Sequence, residues 1–104
     1  TTRTWSPGYS IYAGSKSAIE QFTRSLSREL GPRQITVNGV VPGLTDTDMI
    51  EGYSAAVREG AAKNTTLGRL GQPRDIADVV AFLASEDGRW ITGQMVVANG
   101  GLNP

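Results

Sequence analysis

Across residues 11–30, apolar side chains return every three or four positions, at Ala18, Ile19, Phe22, Leu26 and Leu30. That period places them on one stripe of a helix, with Glu20, Arg24, Arg28 and Glu29 on the polar side. Gly31-Pro32 ends the helix, because glycine suits a cap and proline cannot continue the turn. Residues 35–41 are rich in branched side chains without clear alternation, which predicts a short strand buried on both faces. Pro42-Gly43 stops it, and 44–52 reads as a loop crowded with Thr and Asp. Residues 54–63 predict a short helix with Ser54 as its N-cap. After a connector at 64–73, residues 75–85 predict a further helix. Ile76, Val79, Val80, Leu83 and Ala84 form its stripe, and Asp75 and Asp78 suit its positive end. A turn at 86–89 leads to a second strand within 90–98, centred on 94–97, which Asn99-Gly100-Gly101 breaks. The segment 1–8 reads as polar and turn-like around Ser6-Pro7-Gly8.

Helices alternating with buried strands predict an α/β fold with a parallel sheet and right-handed crossovers. Two strands with long amphipathic helices leave faces and edges open, so the pattern describes one half of a domain. No internal repeat or low-complexity tract interrupts it.

Composition narrows the chemistry. The chain has 104 residues, 38% of them hydrophobic and 19% charged, as befits one globular domain. Ten basic and ten acidic residues leave no cationic excess for nucleic acid. Apolar runs of four or five residues are far too short to span a membrane, and without a charged-then-apolar opening a signal peptide is expected to be absent or already removed. The expectations are no nucleic-acid partner, no membrane and a cytoplasmic location. Without cysteine there is no disulfide framework or thiol chemistry, and without histidine no Ser-His-Asp triad. No metal site is expected. Proton transfer then falls to Tyr, Lys, Ser, Thr, Asp, Glu or Arg, or to a cofactor.

Tyr12 and Lys16 stand four apart, one helical turn from each other on one face. An ammonium within about 4–6 Å of a phenol favours the phenolate, so such a pair moves a proton to or from an oxygen without histidine. Spacing alone also fits an ordinary surface pair, and the neighbouring residues tip the balance. Tyr12-Ala-Gly-Ser-Lys16 is followed by Val37-Asn-Gly-Val-Val-Pro-Gly43 and Thr45-Asp-Thr-Asp-Met49. Then come Leu70-Gly-Gln-Pro-Arg-Asp-Ile-Ala77, Val80-Ala-Phe-Leu-Ala-Ser85, Ile91-Thr-Gly-Gln94 and Asn99-Gly-Gly101. In this order and spacing, the succession closely resembles the C-terminal part of the short-chain dehydrogenase/reductase family. The resemblance runs from about Ser6 to the end. It is nearest the single-domain branch that includes 3-oxoacyl-carrier-protein reductases and sugar or steroid dehydrogenases; the extended epimerase branch usually lacks this ending.

The resemblance implies the C-terminal part of a Rossmann-like doubly wound parallel sheet, incomplete on its own, with about two strands and three to four helices. Residues 1–104 would be the C-terminal segment of a single NAD(P)-binding domain whose N-terminal half is absent. It implies Tyr12 as general acid/base between a ketone and a secondary alcohol, with Lys16 favouring the phenolate and holding the nicotinamide ribose. Pro42 and Gly43 match the turn near the nicotinamide, Thr45 the main-chain contact to the carboxamide, and Thr47 the hydroxyl approaching the carboxamide or pyrophosphate. NAD or NADP is the implied cofactor, and a small carbonyl or alcohol the implied substrate. In the family, the tyrosine helix and the last helix and strand build subunit contacts, which implies a homo-oligomer. A truncated piece that only self-associates or complements another half is the alternative.

Other residues carry plainer readings. Asn38 is expected to fix backbone groups. Thr45, Asp46, Thr47 and Asp48 also suit capping of a helical turn. Gly100-Gly101 reads as a structural turn, since no Lys follows and no helix begins there. Trp5, Tyr9, Met49, Ile50 and Tyr53 are candidates to line a substrate pocket. Trp90 reads as interface or core, and Arg69, Arg74 and Arg89 as solvated or salt-bridged. The Gly-rich dinucleotide fingerprint, the residue separating NAD from NADP, the relay asparagine and the substrate-polarising serine have no match here, and Ser6 is too close to Tyr12 for that last role. Gly14 lies inside the turn between Tyr12 and Lys16, and Asn99 stands where relatives often carry an acid.

Overall fold

The computed structural model describes residues 7–102. The turn expected at 1–6, with Trp5 and Ser6, lies outside the described residues. Helix α1 spans Ser10–Leu30, α2 Ala55–Lys63 and α3 Pro73–Ala84. Strands β1 (Gly39–Pro42) and β2 (Met95–Ala98) pair in parallel, so the α/β class holds with two strands and three α-helices. Short 3-10 turns occupy Gly31–Arg33, Asp48–Ile50 and Glu86–Gly88. The described residues divide into two compact units, 7–39 with 89–95 and 40–88 with 96–102.

In the first unit, α1 turns inward a side that its apolar period does not predict. The covered positions are Ala13, Glu20, Thr23, Ser27 and Leu30, whereas Ile19, Phe22 and Leu26 are exposed. The reason is close approach to glycine backbone. Gly93 has φ 70°, and a Cβ there would lie 2.8 Å from Ser27 Oγ. A Cβ on Gly39 would strike the Met95 side chain at 2.6 Å, with Thr23 Oγ1 beyond it at 3.8 Å. Small side chains let the helix come this near; a Phe or Leu would hold it off. Buried Thr23 is satisfied, donating to the Ile19 carbonyl at 2.9 Å.

The helix also ends differently. Gly31 stays right-handed at φ −54°, a 3-10 turn carries the chain through Pro32, and the left-handed residue is Gln34 at φ 60°. Pro32 sits in the first turn of that short helix, where its missing N–H breaks no bond.

The first strand is shorter than expected and half-buried rather than covered on both faces. Side chains replace the ladder before Gly39. Val37 N–H donates to the Thr92 hydroxyl at 3.0 Å, Asn38 Nδ2 to the Ile91 carbonyl at 2.8 Å, and Gln94 N–H to Asn38 Oδ1 at 3.1 Å. Asn38 thus fixes backbone, as read, and in doing so removes its segment from regular pairing. Regular bonds follow, from Gly39 N–H to Gln94 and from Gly43 N–H to Ala98. Odd-numbered residues of β1 therefore face β2. Pro42 presents its nitrogen to the opposite edge, where its lack of a donor costs no bond to β2.

In the second unit, Ser54 caps α2 as expected, accepting Val57 N–H at 3.2 Å. Helix α3 starts at Pro73, ahead of the expected 75. Gln72 and Asp75 form a reciprocal capping box there, and proline suits the first turn. Ile76, Val79 and Leu83 are partly covered, while Val80 and Phe82 are exposed. Among the described residues Ile50, 2% exposed, is the one buried hydrophobic side chain. Buried Thr65 organises the connector: its hydroxyl lies 2.8 Å from the Ala62 carbonyl and 2.9 Å from that of Arg69, and accepts Arg69 N–H at 3.1 Å. Thr66 Oγ1 donates to the Gly101 carbonyl and Leu67 N–H to that of Gly100, stitching the connector to the turn after β2.

Trp90 is 96% exposed, so it is not a core residue. No helix among the described residues is long and apolar enough to cross a membrane.

Candidate functional site

Tyr12 and Lys16 lie in the first turns of α1, and the helix does to them what their spacing demands. Lys16 Nζ stands over the Tyr12 ring, 5.3 Å from its centroid, within cation–π range. The Tyr9 ring meets Tyr12 edge-on, with centroids 6.2 Å apart and planes at 87°. Both tyrosines are 61% exposed, so the phenol is open to an incoming molecule. Ser15 and Ser17 do not reach the ring; their hydroxyls donate to the carbonyls of Tyr12 and Ala13. A Cβ on Gly14 would meet nothing. Packing therefore gives no reason for a glycine there, and it weakens the turn by up to about 1 kcal/mol against alanine.

Pro42, Gly43, Thr45 and Thr47 belong to the second unit and follow one another out of β1. Gly43 is explained by Asn99: a Cβ at 43 would lie 2.9 Å from Asn99 Cβ and 3.0 Å from its Cα and carbonyl oxygen. Thr45 makes a parallel bridge with Gly71, in which Gly71 N–H donates to Leu44 and Asp46 N–H to Gly71. Backbone groups of a bridged chain alternate in direction, so the Thr45 peptide N–H and carbonyl turn away from Gly71. Its hydroxyl donates to the Gly43 carbonyl at 3.1 Å. Thr47 is extended at φ −134° and opens the 3-10 turn Asp48–Ile50, its carbonyl accepting Ile50 N–H at 3.0 Å. Its hydroxyl makes no capping bond, so the expected capping role falls to the backbone alone.

Two ion pairs support this end of the unit. Asp46 pairs with Arg58 of α2, and Arg58 also donates to the Ile50 carbonyl at 3.4 Å. Nothing in the sequence pattern links residues twelve apart across a loop and a helix. Arg69 donates two hydrogen bonds to Asp75, at 2.6 and 2.9 Å. Those bonds, with Gln72 N–H, hold the Asp75 carboxyl well below the usual carboxylate range; the same carboxylate raises Arg69 further above its ordinary value. Arg74 pairs with Asp78 at 3.4 Å.

A cavity of about 150 Å³ opens between Gly43, Thr45, Arg69, Asp75, Ile76 and Asn99. It is smaller than the usual pocket for a whole organic ligand. Asn99 shapes its rim as a turn residue, accepting Gly101 N–H at 3.0 Å and donating to the Leu102 carbonyl at 3.1 Å. Gly100 and Gly101 have φ 65° and 76°, a structural turn as read. Of the candidates for a substrate wall, Tyr9, Met49 and Tyr53 are exposed. Ile50 is buried within its unit and presents no surface to a ligand, because the 3-10 turn points it inward. Among the described residues no cluster of acidic side chains has the makings of a metal site.

A family model described as Enoyl-(Acyl carrier protein) reductase matches residues 1–103. The 3-oxoacyl-(acyl-carrier-protein) reductase FabG of Pseudomonas aeruginosa is 50% identical over 95 residues, covering 91% of this chain and 38% of the relative. Short chain dehydrogenase/reductase nsrJ of Aspergillus novofumigatus is 44% identical, covering 91% of this chain and 40% of the relative. Among solved structures, the angucycline C-6 ketoreductase LanV with bound NADP superposes with a TM-score of 0.83 at 48% identity, covering 97% of this chain and 39% of LanV. The 3-oxoacyl-(acyl-carrier protein) reductase of Brucella melitensis gives 0.87 at 43% identity, covering 97% and 38%. The chain thus spans about two fifths of the length of the relatives it matches. The family model covers nearly every residue, and the Rossmann-like α/β arrangement of the solved reductases is the one seen here, so this chain belongs to the short-chain dehydrogenase/reductase family.

Proposed function

We propose that this chain is the catalytic C-terminal segment of a single-domain NAD(P)-dependent oxidoreductase that interconverts a ketone and a secondary alcohol. The observation that carries the reading is the Tyr12–Lys16 pair, an ammonium held 5.3 Å from the centre of an exposed phenol ring one turn away. Tyr12 gives its hydroxyl proton to the substrate oxygen during reduction and takes it back during oxidation. Lys16 places a positive charge over the Tyr12 ring, and its ammonium hydrogens are the donors available to a ribose hydroxyl. When bound, a nicotinamide cofactor supplies or accepts the hydride.

The residues after β1 suit the nicotinamide end of such a cofactor. Pro42 and Gly43 carry the chain to the mouth of the sheet, Gly43 being already bonded to Ala98 and Thr45; beyond them the Thr45 peptide group is turned away from Gly71 and the Thr47 hydroxyl is not used as a cap. These are neutral donors and acceptors, as a carboxamide requires. They also lie at the carboxyl end of a parallel strand, where α/β sheets bind their ligands. The ketoreductase LanV, solved with bound NADP, and the 3-oxoacyl-(acyl-carrier-protein) reductase of Pseudomonas aeruginosa support the same chemistry. The test joins this segment to a complete N-terminal half and follows nicotinamide absorbance. Tyr12→Phe is expected to reduce turnover about a hundredfold or more. Full activity in that variant rejects the role given to Tyr12.

The exposed stripe of α1 favours a second element of the reading. Ile19, Phe22 and Leu26 are 48%, 63% and 41% exposed, and Val80, Phe82 and Val97 extend the pattern to α3 and β2. We propose that these faces are covered by a second copy of the chain or by a complementing half. The reading also puts the protein in the cytoplasm, with fractionation expected to recover activity there rather than with the envelope.

A further inference from the structure

The chain between β1 and α2 has one regular turn, yet it carries both threonines proposed to meet the cofactor. Two anchors hold it: the backbone bridge of Thr45 to Gly71 on one side and the burial of Ile50 on the other. Arg58 spans the interval between them. One terminal nitrogen of its guanidinium pairs with the Asp46 carboxylate and the other donates to the Ile50 carbonyl, so a single planar group grips both flanks of Thr47. The side chains of Arg58 and Asp46 are only 29% and 37% exposed, which shields the pair from solvent more than an ordinary surface bridge. Arg58 is itself fixed, because its backbone N–H donates to the Ser54 carbonyl in the capped first turn of α2. The exposed residues Thr47, Asp48 and Met49 lie between the two points it grips.

We infer that Arg58 is a positioning residue that sets the backbone at 45–47 for the nicotinamide end of the cofactor, through Asp46 and Ile50. This rests on the oxidoreductase reading above. The guanidinium fork matters as much as the charge: lysine offers one point of attachment and cannot reach two acceptors in a fixed plane.

The test uses the full-length protein that carries this chain, with Arg58→Met and Arg58→Lys. One arm measures hydrogen exchange at the bonded amides of Asp46 and Ile50 without cofactor. The other titrates NADPH and, separately, 2′,5′-ADP, which has the adenosine half of the cofactor and no nicotinamide. In Arg58→Met, exchange at 46 and 50 is expected to rise about tenfold while the amides of α3 are unchanged. The NADPH dissociation constant should rise about three- to tenfold with that for 2′,5′-ADP unchanged, and Arg58→Lys should fall between. Unaltered exchange at 46 and 50 overturns the inference. So does an equal loss of NADPH and 2′,5′-ADP affinity, which marks a purely structural residue. A wild-type protein that binds neither NADPH nor NADH overturns the oxidoreductase reading and the cofactor role of the clamp with it; one that binds only NADH is titrated with NADH and 5′-AMP in place of NADPH and 2′,5′-ADP; and normal wild-type binding with no response to Arg58→Met overturns the clamp alone.

Discussion

Asp75 joins three groups that chain connectivity keeps apart: the Arg69 guanidinium, the Gln72 N–H and the first turn of α3. Its carboxyl is lowered in the folded chain, first by the Arg69 hydrogen bonds and next by Gln72 N–H. A lowered folded value means that its contribution is fully present above the unfolded value, about 3.9, and is lost as pH falls below it toward the folded value. Chemical denaturation from neutrality down to about pH 3 should therefore show a decline in stability below about pH 4, and Asp75→Asn should shallow that limb. Equal acid sensitivity in both proteins excludes the assignment. Sequence alone marks Arg69 as solvated or paired and Asp75 as favourable to a helix start. It does not pair them, because the bond depends on how the connector folds around the Thr65 hydroxyl.

Helix α1 shows why period predicts an element more securely than it predicts the side that packs. The stripe through Ile19, Phe22 and Leu26 defines the helix, yet the covered side is built around Thr23 and Ser27. The cause is the glycine backbone opposite, whose approach to α1 leaves room for an oxygen and no more. Gly93→Ala should destabilise the first unit by about 1–2 kcal/mol from its left-handed φ alone, with a further cost from the contact with Ser27 Oγ. Adding Ser27→Ala should recover the contact part and leave the backbone part, since Ser27 Cβ lies at 3.5 Å, an ordinary distance. A double-mutant cycle measured by thermal unfolding separates the two, and strict additivity would show that the helix does not rest on Gly93. The strand boundary follows similar logic: Asn38 and Thr92 replace ladder bonds with side-chain bonds that branched composition does not reveal.

For the molecule as a whole, the apolar surface left uncovered is the dominant physical fact. Ile50 is the one buried hydrophobic side chain among the described residues, while Phe22, Val80, Phe82 and Trp90 face outward. Apolar area in contact with water costs about 25 cal/mol per Å², so such faces favour association. Sedimentation at micromolar concentration should give a species heavier than the monomer, and Phe22→Glu should shift it toward the monomer without loss of helix by circular dichroism. A wild-type monomer throughout that range would defeat the proposed self-association. Two strands and long amphipathic helices imply the open faces, but their period does not say which residues stay outside: Ile50, a candidate pocket wall, is buried, and Trp90, which reads as interface or core, is exposed and so not core.

The order of helices and strands, the Ser54 cap, the glycine turn after β2 and the Tyr12–Lys16 neighbourhood were all determined by sequence. Each depends on residues a few positions apart, where backbone geometry leaves little choice. Tertiary structure alone decided which side of α1 is covered, where β1 begins, and that Arg58 grips the chain around Thr47. Those outcomes turn on contacts between segments distant in the chain, at tolerances of a few tenths of an ångström, and no local period encodes them.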